Sequence, residues 1–133
     1  MTKSERTIAI LEIITSVGLL LFWTAFFTIG MAPKNPPPCY FVFEHSFPVP
    51  DVILAIGLLT GSIMMLMGRA GGRRLSLLCA GALVFLGLLD MSFNFQNGMY
   101  SISVADMLTN GFINLWCIGF GISIALCISM ESD

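Results

Sequence analysis

Four long apolar runs alternate along the chain with short segments that are polar or rich in proline. The runs cover about residues 7–31, 51–68, 75–95 and 106–130. Each comes close to the ~20 helical residues needed to cross a hydrocarbon core about 30 Å thick, so each is read as a membrane-spanning helix. The first is broken only by Glu12 and a few Thr and Ser. It is longer than the apolar region of a signal peptide and ends in Gly30-Met31-Ala32-Pro33 rather than an A-x-A-like cleavage site, which makes it an uncleaved first helix. The second run carries no charge beyond Asp51, the third only Asp90, and the fourth none beyond Asp106.

The connections differ in kind. Residues 31–50 hold all six prolines together with Tyr40, Phe41, Phe43, Glu44, His45 and Phe47. So aromatic a segment is expected to fold back over the mouth of a bundle, with Pro48 and Pro50 fixing an extended approach to the second helix. Arg69 to Arg74 reads RAGGRR, a tight basic turn. Asn97-Gly98 marks a short polar turn between the last two helices. Gly57 and Gly61 on the second helix, and Gly121 and Ala125 on the fourth, have the four-residue spacing that lets helix backbones approach closely in lipid.

Composition narrows the class further. Of 133 residues, 56% are hydrophobic and 11% charged, against about 25% charged in an ordinary soluble domain. That excludes a soluble globular domain, a disordered chain and a nucleic-acid binder with a basic face. Five of the six basic residues (Lys3, Arg6, Arg69, Arg73, Arg74) fall on one side of the expected spans, and only Lys34 on the other. The positive-inside rule then puts both termini in the cytoplasm, with Glu131-Ser132-Asp133 as an acidic tail that the rule hardly weighs. The expected fold is all-α: one domain over residues 1–133, an antiparallel four-helix bundle in the cell's inner (plasma) membrane. Cys39, Cys79, Cys117 and Cys127 show neither a CxxC pair nor metal-ligand spacing, so no disulfide framework, structural zinc or other metal is expected.

Once the spans are placed, the polar residues gather at one end. Asp90, Asn94 and Asn97 form a stripe on the last turns of the third helix, and Asp106, Asn110 and Asn114 one on the first turns of the fourth. A short turn joins these helices, so the two stripes are expected at the same depth. Asp51 opens the second helix at that end, just after Glu44 and His45. Polar groups are costly to bury in a membrane, and such a cluster reads as a functional site by default. Plainer readings compete: Asp51 and Asp106 suit helix N-termini, Asn97 suits its turn, and Asn94 and Asn110 suit hydrogen bonds between helices. Asp90 lies inside its helix and not at an N-terminus, so it reads as a functional group or a buried hydrogen-bond hub, or else as a side chain reaching the interface. His45 is a candidate proton carrier, with Glu44 beside it as a base. Trp116, two residues beyond Asn114, is a candidate floor for an apolar pocket. Glu12 is expected to snorkel or to pair with Arg73 or Arg74.

The stretch Phe43-Glu44-His45-Ser46-Phe47-Pro48-Val49-Pro50-Asp51, followed by an apolar helix, resembles a segment of small four-span bacterial membrane proteins of unknown function. That resemblance covers the loop and the second helix; it implies a four-helix fold and no activity. Asp90, Asn114 and Trp116 are also similar to the helix-borne acid, Asn and Trp of the sterol-isomerase-like membrane fold. The expected ligand-binding residues are Glu44, His45, Asp51, Asp90, Asn94, Asn110, Asn114 and Trp116. They would form an outward-facing polar pocket for a small amphipathic molecule, a lipid or a cation. No cofactor and no nucleic-acid partner are expected; the bilayer is the principal partner, and self-association into a homo-oligomer is left open. Two other classes stand beside this one: a membrane enzyme doing acid–base chemistry on a lipid-like substrate, and a non-catalytic accessory subunit of a membrane complex.

Overall fold

A computed structural model describes residues 1–130; the acidic tail at 131–133 lies outside the described residues. Among those residues the chain is helical, in the order α1 (Lys3–Thr28), α2 (Tyr40–Glu44), α3 (Pro48–Leu66), α4 (Ala70–Gln96) and α5 (Val104–Met130), with one 3-10 turn at Met99–Ser101. Four segments are long and apolar enough to cross a membrane: α1, α2 with α3, α4 and α5. Chain contacts group the residues into two compact units, Met1–Leu77 and Leu78 onward, with α4 continuous through the boundary.

The four expected spans are present, and the first three differ from their expected limits for local reasons. Helix α1 starts at Lys3 rather than near residue 7 because Thr2 and Glu5 close a capping box. The Thr2 hydroxyl accepts from the Glu5 backbone N–H at 3.2 Å, and the Thr2 N–H donates back to the Glu5 carboxylate at 3.1 Å. The approach to α3 is helical, not extended. Phe47 has φ −87° and ψ −33°, and Pro48 and Pro50 occupy the first turn of α3, where a missing N–H costs nothing. The RAGGRR segment is not a turn beyond its first residue. The reversal falls at Gly68, whose φ of +71° suits glycine, and α4 already begins at Ala70. The Asn97-Gly98 turn forms as expected, with Gly98 at φ +65° and the Asn97 amide donating to Phe93 O at 3.0 Å.

In the first unit α1 and α3 run antiparallel. Ser16 donates to the Ala55 carbonyl at 2.7 Å, and the Trp23 indole donates to Asp51 at 2.7 Å, so higher positions on one helix meet lower ones on the other. The first turns of α4 close against α3. A Cβ on Gly72 would lie 2.5 Å from the Met65 backbone N, and one on Gly61 2.9 Å from Ser76 Oγ. Leu54, Ala55 and Leu58 of α3 and Ile8 and Ala9 of α1 are buried here.

In the second unit α4 and α5 are antiparallel through two close approaches. A Cβ on Gly121 would sit 2.7 Å from the Ala80 carbonyl, and one on Gly87 3.0 Å from the Cys117 Cβ. Gly121 thus makes the close backbone contact its small-residue spacing suggests, and Leu83 and Ile124 are buried here. In both units, large apolar side chains such as Leu21, Ile53, Phe85 and Leu115 are exposed. A surface this apolar suits hydrocarbon and would be a liability in water.

Candidate functional site

The second unit carries the polar end picked out from the stripes on α4 and α5. Gly87 abuts Cys117 and the Asn114 carbonyl. One turn further along this antiparallel pair, Asp90 comes level with Asn114; the next turn brings Asn94 level with Asn110. The two stripes therefore share a depth within this unit. Asn94 and Asn114 are each 1% exposed, while Asp90 and Asn110 are half-buried. The Asn94 amide donates to the Asp90 carboxylate at 3.1 Å, within one helix. The Asn114 amide donates to the Tyr100 hydroxyl at 2.7 Å, which ties α5 to the turn before it. Its other end differs: Asn114 Oδ1 is buried and accepts no hydrogen bond. A buried carbonyl left without a donor costs about 1–3 kcal/mol, so it marks a place that an N–H or O–H donor would fill.

Asp106 fits the capping reading. Ser103 donates to its carboxylate at 2.6 Å and accepts from its backbone N–H at 3.0 Å, an N-terminal cap for α5. Trp116 is half-buried in a ladder of rings along its own helix, stacked on Phe112 at 6.1 Å and on Phe120 at 5.2 Å between centroids.

The first unit holds the other three candidates. Glu44 ends the short helix α2 and is half-buried. His45 is exposed, with the rings of Phe27, Phe41 and Phe26 at 5.7, 5.9 and 6.3 Å. Asp51 is buried with its carboxylate bound by the Trp23 indole and does not cap α3, since no side chain caps at Phe47. Asp51 does lie in the first turn of α3, as its N-terminal reading has it, and its carboxylate makes a further contact there with Trp23. Trp23, the donor of this bond, is not among the candidate residues that the sequence pattern singles out.

Two further polar links lie in this unit. Glu5, 1% exposed, holds the guanidinium of Arg73, whose side chain is 48% exposed. Glu12 therefore has a different partner from the Arg73 or Arg74 expected of it. It is 0% exposed and accepts from the Ser76 hydroxyl at 3.0 Å. The signal was present in the spacing: Glu5, Glu12, Ser16 and Trp23 follow at intervals of seven, four and seven, one face of α1. Each makes a bond to α3 or to the start of α4.

Such helices, largely apolar outside and tied inside by a few polar links, are compatible with a helical membrane protein. Compared with protein-family models, curated proteins and solved structures, the chain matches none.

Proposed function

We propose that the chain is a multi-pass integral membrane protein that binds a small amphipathic cation at the Asp90 end of α4 and α5. Asp90 supplies the counter-charge, and Asn94, Asn110 and Asn114 supply oriented hydrogen bonds. The observation that carries this reading is Asn114 Oδ1, buried and unsatisfied at the level of Asp90. An ammonium that enters beside the half-buried Asp90 would set its charge against the carboxylate and donate an N–H to the Asn114 carbonyl. The apolar surroundings suit the organic part of such a molecule.

Orientation belongs to the same reading. The bond between Glu5 and Arg73 brings the start of α1 and the start of α4 to one end of the first unit, so Lys3, Arg6, Arg69, Arg73 and Arg74 gather there. That end is cytoplasmic by the positive-inside rule. Helix α4 then carries Asp90 towards the outer face.

The test is a native mass spectrum of the protein extracted from its membrane. The wild type is expected to retain a small basic adduct, and Asp90→Asn to lose it while keeping its helical circular dichroism. An unchanged adduct in Asp90→Asn would remove the counter-charge role.

A further inference from the structure

Glu12 stands apart from the cluster on α4 and α5. It lies seven residues past Glu5, about 10 Å further along α1. The groups that face it are few. Arg73 is held by Glu5, Arg74 is exposed on the first turns of α4, and Cys79 is buried one turn beyond Ser76. Past Asp51, which is bound to Trp23 near the far end of α1, α3 has no ionisable side chain.

The carboxyl group is asymmetric. Oε2 accepts from Ser76 Oγ at 3.0 Å, while Oε1 is buried and has no hydrogen-bond partner. Ser76 Oγ also lies 3.2 Å from the Met65 sulfur. A hydroxyl has one hydrogen, so Ser76 can donate to Oε2 or to the sulfur, but not to both. With Glu12 ionised, the hydrogen points at Oε2. With Glu12 protonated, the acid O–H donates to Ser76 Oγ, and the Ser76 hydrogen turns to the sulfur, a weak acceptor. Both arrangements use the same heavy-atom positions.

The geometry points to a proton-binding site inside the first unit, formed by Glu12 as the acid, Ser76 as a hydroxyl that reverses its hydrogen bond, and Met65 as its second acceptor. The ligand is a proton because Glu12 is 0% exposed: no sphere the size of a water molecule fits against it, and a proton needs no cavity. The site stands independently of the ligand reading at Asp90.

Infrared difference spectroscopy on the full chain in lipid nanodiscs tests this without any reagent having to reach the buried group. The wild type is expected to show, in neutral buffer, the carbonyl stretch of one protonated carboxylic acid, which fades as the pH is raised. Glu12→Gln is expected to lack it. Met65→Leu, close in volume, is expected to fold and keep the band but lose it at lower pH, because the protonated arrangement has lost its second acceptor. No such band in the neutral wild type would overturn the proposal. So would a band retained in Glu12→Gln, a midpoint unmoved in Met65→Leu, or a band abolished by sodium chloride at constant pH, which would assign the site to a metal cation.

Discussion

Gly72→Ala is expected to lower the thermal midpoint of the protein in detergent or lipid, while Gly71→Ala leaves it unchanged or raises it. The two glycines are adjacent in the first turn of α4, and alanine is the better helix former by about 1 kcal/mol at either position. Their surroundings separate them. A Cβ on Gly71 would meet only the terminal methyl of Met64, the far end of a flexible side chain. A Cβ on Gly72 would lie 2.5 Å from the Met65 backbone N and 2.9 Å from the Gly61 carbonyl. Backbone atoms of a packed helix cannot swing aside, so α4 must move away from α3. Overpacking of this kind costs about 1–3 kcal/mol, and contact with backbone on two sides puts Gly72 at the upper end. Unfolding followed by circular dichroism reads the difference directly; equal midpoints for the two variants would mean that α3 and α4 are not in close contact there.

The second large effect is expected at Trp23. Trp23→Phe keeps a ring among Phe22, Phe26 and Phe27 but removes the indole N–H that reaches Asp51 at 2.7 Å. Both residues are buried, so a polar group is left without its donor. A hydrogen bond to a charged group contributes about 1.5–3 kcal/mol, and a loss of that order is expected. Asp51→Leu alone strands the indole N–H instead. The double variant Trp23→Phe/Asp51→Leu removes both ends and is expected to recover much of the loss, because replacing a buried pair by apolar groups is often nearly neutral. A double-mutant cycle on unfolding midpoints checks this; additive losses would show that the two side chains do not act as a pair.

The chain's main divisions were legible because they follow from the solvent. Runs of apolar residues near the thickness of a bilayer announced α1, α3, α4 and α5, and Asn97-Gly98 announced its turn. Helix limits were less legible where a cap decided them: Thr2 and Glu5 extend α1 into a polar stretch that hydropathy alone treats as flanking sequence. Pro48 and Pro50 read as breakers, yet in a first turn they are compatible with the helix they open. The RAGGRR segment misled in the same way, since Gly71 and Gly72 looked like turn residues while Gly72 is required by packing.

The polar cluster on α4 and α5 was legible because its members lie close in sequence and a short turn fixes their relative depth. Pairs such as Trp23 with Asp51, Glu5 with Arg73 and Glu12 with Ser76 join residues 28, 68 and 64 positions apart. No local pattern specifies such partners. The spacing on α1 showed which face would carry them, and only the packing of α3 and the first turns of α4 showed what they would meet.

The most direct test of the functional account is a titration of the full chain in nanodiscs with phenethylammonium, a small amphipathic cation that carries N–H donors, compared with Asp90→Asn. The account predicts saturable binding by the wild type that weakens at least about tenfold in Asp90→Asn, equivalent to about 1.4 kcal/mol. Binding of equal strength in both, or none in the wild type, would contradict it.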